Sequence, residues 1–129
     1  MSDNDRRSTM SRECFDMYTA KKLISKSKNA RERGIEFNMT FTAMRNILSA
    51  KYCFYTGIPL ELPVGDAANL KPNSLTIDRI CSSKGYVKGN VVACSNEFNQ
   101  MKARVDSAGI HGMVMMVRAF GKAVKRMKP

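Results

Sequence analysis

One histidine, His111, is all this chain of 129 residues possesses, and no Gly-x-Ser-x-Gly lies near it, so a Ser-His-Asp triad cannot be assembled. No Gly-rich loop of Walker type occurs, which removes phosphate-cradling nucleotide hydrolases. Long apolar runs are missing too. The longest uninterrupted one is Met113 to Val117, far short of the ~18 residues that suggest a membrane span. There is no internal repeat and no charged-then-apolar leader, and the four cysteines follow no regular spacing. These absences lead us to expect a reduced, intracellular, cytoplasmic protein with no membrane association. Acidic residues are scarce: 11 Asp plus Glu stand against 22 Lys plus Arg, a formal net charge of +11. Such an excess favours a polyanionic partner, with nucleic acid first and an anionic membrane surface or acidic protein as alternatives.

By length the chain reads as a single domain at residues 12–129 behind a frayed terminus at 1–11. A basic helix is expected over 12–33, burying Met17, Ala20, Leu23, Ile24, Ser27 and Ala30 beneath Lys21, Lys22, Lys26, Lys28 and Arg33, with Gly34 as its C-cap. Thr40 caps a second helix over 40–49, which buries Phe41, Met44, Ile47 and Leu48. The run Lys51 to Leu60 is aromatic and β-prone up to Gly57, and its aromatics read as core or half-core. Residues 62–74, rich in Pro, Gly and Asn, form a long loop. A last amphipathic helix over 107–127 carries Met113, Met116, Val117, Phe120, Val124 and Met127 in one arc. That stripe docks on the chain's own core or forms a homodimer interface. His111 falls outside the arc, beside Arg118 and Lys122, and reads as solvated.

The stretch Leu75 to Lys102 differs from the rest. Leu75 to Ile80 alternates apolar and polar, Ser82 to Gly89 carries turn chemistry, and Asn90 to Cys94 is a second β-prone run. Ser95 then caps a helix containing Phe98, Met101 and Val105. The result is an α+β fold around a ββα unit. Asp78 lies mid-strand and Asn99 in the second helical turn, so a helix across the hairpin brings two hard oxygen donors together. Mg²⁺, which keeps several waters and asks for few protein ligands, suits such a pair, as does Mn²⁺.

The order Asp78-Arg79-Ile80, Gly85-Tyr86, Gly89-Asn90-Val91, Asn99 and Lys102 resembles the core of the His-Asn-His (HNH) endonucleases, in the form common among bacteriophage proteins and homing endonucleases. The resemblance covers roughly Lys51 to Arg104. It implies a ββα-metal core with flanking helices, divalent-metal binding by Asp78 and Asn99, and a hairpin loop pinned by Asn90. It also implies hydrolysis of DNA phosphodiesters, in the host cytoplasm if the protein is phage-encoded. The position that holds the family's histidine general base is Arg79, counted with Asp78, Asn90 and Asn99 among the catalytic candidates. Lys21, Lys22, Lys26, Lys28, Lys84, Lys88, Lys102 and Arg104 are the candidate nucleic-acid contacts. Many family members hold a structural zinc in paired Cys-x-x-Cys knuckles. Here Cys53 is followed at that spacing by Thr56, and Ser95 and Phe98 stand at the second knuckle, so no zinc is expected and Cys53 and Cys94 read as buried hydrophobes. Two functions fit: a metal-dependent endonuclease, or a nuclease-derived protein that binds nucleic acid or another nuclease without cutting.

Overall fold

The computed structural model describes residues 10–63, 70–106 and 109–127. Most of the terminus expected to fray, the middle of the 62–74 loop and the first residues of the helix expected over 107–127 lie outside the described residues. The elements run α1 (Arg12–Glu32), α2 (Phe41–Leu48), β1 (Leu75–Arg79), β2 (Val91–Ser95), α3 (Asn96–Asp106) and α4 (Gly109–Met127). The chain divides into two compact units, Met1–Asn99 and Gln100–Pro129.

In the first unit Ser11 caps α1 by accepting from the Cys14 N–H, and Thr40 caps α2 by accepting from Ala43 N–H, each at 3.1 Å. Gly34 follows α1 at φ +68°, the left-handed conformation that ends a helix. The buried stripe of α1 is Phe15, Thr19 and Ala30, with Leu23, Lys22 and Lys26 half-buried beside it. Of the expected face, Ala30 is buried and Ala20, Leu23 and Ser27 are half-buried, whereas Met17 and Ile24 are 63% and 68% exposed. Phe15 and Ala30 set the inner face, and the aliphatic stems of Lys22 and Lys26 cover part of it. α1 packs on α2 and α2 on β2. Met44 and Leu48 are fully buried, whereas Phe41, expected inside, is exposed.

β1 and β2 pair antiparallel, with Asp78 opposite Val92 and Arg79 opposite Val91. Leu75 and Ile77 face the core while Thr76 and Asp78 occupy the other pleat. The β-prone run after α2 forms no strand. It closes into a turn in which Cys53 N–H donates to Ile58 O at 2.9 Å and Gly57 takes φ +75°. This turn docks on the hairpin through Phe54 N–H to Ala93 O at 3.0 Å. Tyr52 and Phe54 are exposed, contrary to the core reading, and Tyr55 is half-buried.

In the second unit α4 is amphipathic, but Met116, Val117, Phe120, Val124 and Met127 are exposed. His111 is exposed as well.

The connection between β1 and β2 is braced by residues 36–38: Tyr86 N–H donates to Glu36 O and Asn38 N–H to Tyr86 O, at 2.8 and 2.9 Å. This approach leaves no room for a side chain at residue 85. A Cβ there would overlap the Glu36 carbonyl oxygen and stand 2.7 Å from the Glu36 Cβ. Gly85→Ala should cost about 1–3 kcal/mol, because backbone must shift to admit the methyl. Urea unfolding measures this. Gly121→Ala, with nothing within 4 Å, is the control expected to show no loss.

Candidate metal centre and nucleic-acid interface

Thr76 and Asp78 project from one pleat of β1, and the first turns of α3 cross the same side of the hairpin. The Thr76 hydroxyl donates to Cys94 O at 2.8 Å, so its oxygen is available only as an acceptor. Asn99 Nδ2 donates to that oxygen at 3.1 Å. This settles the amide orientation: the NH₂ faces Thr76 and the carbonyl oxygen is turned away from it. Asp78, 7% exposed, accepts from the Tyr55 hydroxyl on Oδ2 at 2.6 Å. An ionised acceptor makes such a bond short and strong. A carboxylate and a carboxamide are thereby oriented on one side of the hairpin. Among the described residues no cluster of three or more His, Cys, Asp or Glu side chains converges.

Asn90 is buried and ties the loop together. Its Oδ1 accepts from Cys81 N–H at 2.9 Å, and its Nδ2 donates to Gly85 O at 2.9 Å and Cys81 O at 3.2 Å. Arg79, on the opposite pleat from Asp78, donates from Nη1 to Ser82 O and Lys84 O at 2.9 Å each. Its guanidinium lies 5.4 Å from the centre of the Tyr86 ring. At this position it braces the loop.

At the positions where the family's zinc knuckles would stand, Cys53 Sγ accepts from Ser95 N–H at 3.4 Å and Ser95 Oγ accepts from Phe98 N–H at 3.2 Å. The Phe98 ring stacks on Tyr55 with centroids 4.7 Å apart. Burial would push the Cys53 thiol up, but hydrogen bonds from the Thr56 hydroxyl and the backbone N–H groups of Ser95, Thr56 and Tyr55 outweigh it and bring it down to about 7. Hydrogen bonds and an aromatic stack hold the two segments together here. Cys53 and Cys94 are both buried.

The basic candidates separate by position. Lys21, Lys28, Lys84, Lys88 and Arg104 are exposed, and Lys102 is buried. Lys22 and Lys26 line a cavity of about 280 Å³ against Tyr18, Leu75, Thr76 and Ile77. Lys22 Nζ lies 5.7 Å from the centre of the Tyr18 ring. Burial, then the charge of Lys26, holds the Lys22 ammonium below the usual lysine range. Burial, then Arg33 and Arg79, does the same to Lys26. Lys26 thus feels the positive charge of both Arg33 and Arg79. Sequence reading missed the contacts of Tyr55 and Thr76 at the carboxylate and carboxamide. No local signal marks those contacts, since each joins side chains 23 residues apart.

The architecture just described is of the HNH endonuclease type. A solved structure of the rare-cutting HNH restriction endonuclease PacI superposes with a TM-score of 0.54 over 95% of this chain and 92% of that one, at 19% sequence identity. At that identity the likeness is one of fold. In sequence, the chain is 29% identical over 83 residues to an uncharacterized 29.0 kDa protein of the dda-modA intergenic region of Enterobacteria phage T4. That match takes in 64% of this chain and spans 31% of the phage protein. No protein-family model matches the chain. Among the described residues no helix is long and apolar enough to cross a membrane.

Proposed function

We propose that the chain is a divalent-metal-dependent endonuclease acting on DNA, with Mg²⁺ or Mn²⁺ held by Asp78 and Asn99. The observation that carries this reading is the pair of oriented hard oxygen donors on one side of a ββα hairpin of HNH type. A carboxylate and a carbonyl oxygen fit a small hard cation that retains most of its waters. When bound, the cation would supply charge neutralisation at the scissile phosphate and its leaving oxygen. Asp78 and Asn99 orient that centre. Asn90 and Arg79 hold the loop beside it, and Lys22, Lys26 and Arg33 receive backbone phosphates. Arg79 stays protonated and cannot take the proton of an attacking water. General-base help contributes typically ~10²–10⁴-fold of a total that commonly exceeds ~10⁶-fold, so an arginine at that place is compatible with slower cleavage.

A second reading, a nuclease-derived nucleic-acid-binding protein, is favoured by one observation: Arg79, at the position of the base, is engaged with loop carbonyls. Cation titration and cleavage separate the two. Asp78→Ala and Asn99→Ala should each abolish Mn²⁺ binding measured by calorimetry, and plasmid cleavage with it, while the protein stays folded. Parent-like Mn²⁺ affinity in both variants removes the metal centre. Tight Mn²⁺ binding with no cleavage of single-stranded or duplex DNA leaves the binding protein.

Polyanion binding relieves the repulsion among Lys26, Arg33 and Arg79. Lys26→Met should therefore melt no lower than the parent. It should also bind duplex DNA more weakly, with the log–log salt slope reduced by about 0.9. An unchanged slope places the phosphates elsewhere.

For the exposed stripe of α4 we propose a second copy of the chain. Met116, Phe120, Ala123 and Met127 follow the four-three-four spacing of a coiled-coil seam, while Arg118, Lys122 and Lys125 fall on the far side and bring no like charges together across it. Light scattering should give a dimer that becomes a monomer in Phe120→Glu. A parent that is monomeric at all salt concentrations refutes the pairing.

A further inference from the structure

We propose that Tyr55 is a positioning residue of the metal centre, its hydroxyl fixing the Asp78 carboxylate and its ring fixing the helical turn that presents Asn99. This inference deepens the metal-dependent reading and rests on it.

A carboxylate on a strand turns about a broad, roughly two-fold torsion, so its direction is set by what bonds to its oxygens. Oδ2 of Asp78 is held at 2.6 Å by the Tyr55 hydroxyl, in surroundings where the aspartate is only 7% exposed. The phenol is itself held on every side. Its ring stacks on Phe98 at 4.7 Å and 24°, and meets Phe54 edge-on at 5.2 Å and 90°. The turn that carries it is tied to β2 by Phe54 N–H to Ala93 O at 3.0 Å and by Ser95 N–H to Cys53 Sγ at 3.4 Å.

Phe98 immediately precedes Asn99. One side chain therefore touches the first proposed ligand through a hydrogen bond and the residue before the second through an aromatic stack. The hydroxyl and the ring do separable work. Removing the hydroxyl takes the 2.6 Å hydrogen bond from the carboxylate but leaves the stack, whereas removing the stack loosens the first turns of α3 but leaves the hydrogen bond. Groups that orient metal ligands from outside the coordination sphere typically change metal affinity by about 10- to 100-fold when lost.

The test is Mn²⁺ binding by the full chain, read by calorimetry and by the electron paramagnetic resonance spectrum of the bound ion. Tyr55→Phe should weaken binding by about 10- to 100-fold and alter the spectrum of the ion that still binds. Its melting temperature should stay near the parent's. Phe98→Leu, which keeps both ligands and the hydroxyl, should weaken binding by a smaller factor and serves if Tyr55→Phe does not fold. Tyr55→Phe with parent-like affinity and spectrum overturns the proposal. So does Phe98→Leu with both unchanged, for the part played by the ring. Asp78→Asn tells the two failures apart. If it loses Mn²⁺ while Tyr55→Phe keeps it, the metal centre stands and the role of Tyr55 falls. If Asp78→Asn binds as the parent does, or the parent binds no Mn²⁺, the metal centre falls and takes this proposal with it.

Discussion

The buried carboxamide of Asn90 gathers the chain between the two strands, accepting from Cys81 N–H and donating to the carbonyls of Cys81 and Gly85. Two short strands make a marginal sheet in water, and a sheet this small keeps its register only if the connection is fixed. The stakes are specific. A slip of one residue turns every side chain of β1 to the other face, which would move Asp78 off the side shared with Thr76 and Asn99. Arg79 reinforces the same loop from the opposite pleat, and residues 36–38 brace it through Tyr86. Register, and through it the candidate site, depends on this tie.

Around the hairpin the structure meets two demands that pull in different directions. Asp78 is a buried carboxylate, which is costly unless hydrogen-bonded, and Tyr55 answers that cost. The inner face of α1 holds half-buried ammonium groups, and burial, followed by neighbouring positive charge, holds Lys22 and Lys26 below the usual lysine range.

The turn at residues 53–58 and the start of α3 meet in a junction made of the Cys53–Ser95 hydrogen bond and the Tyr55–Phe98 stack. Both lie within the segments that carry Asp78's partner and Asn99, so the strength of this junction bears directly on how well the two oxygens are aimed.

Much of the ββα unit was legible in residue order, because its determinants are local. The period of two over Leu75 to Arg79, the turn chemistry between the strands and the Ser95 cap each act within a few residues. So are the positions of Asp78, Asn90 and Asn99, and the excess of positive charge. The buried face of α1 was legible only in part: Ala30 was read as buried, but apolar and basic residues are spread around the helix, and packing selected Phe15 over Met17 and Ile24. Nor could periodicity tell whether the stripe of α4 is covered, because an amphipathic pattern records a preference for burial and not what supplies it. The tertiary structure alone decided that Arg79 serves the loop, that Thr76 orients Asn99, and that the hydroxyl of Tyr55 rests on Asp78. Each of those outcomes depends on which chain segments meet in space, and residues 23 positions apart carry no local mark of their meeting.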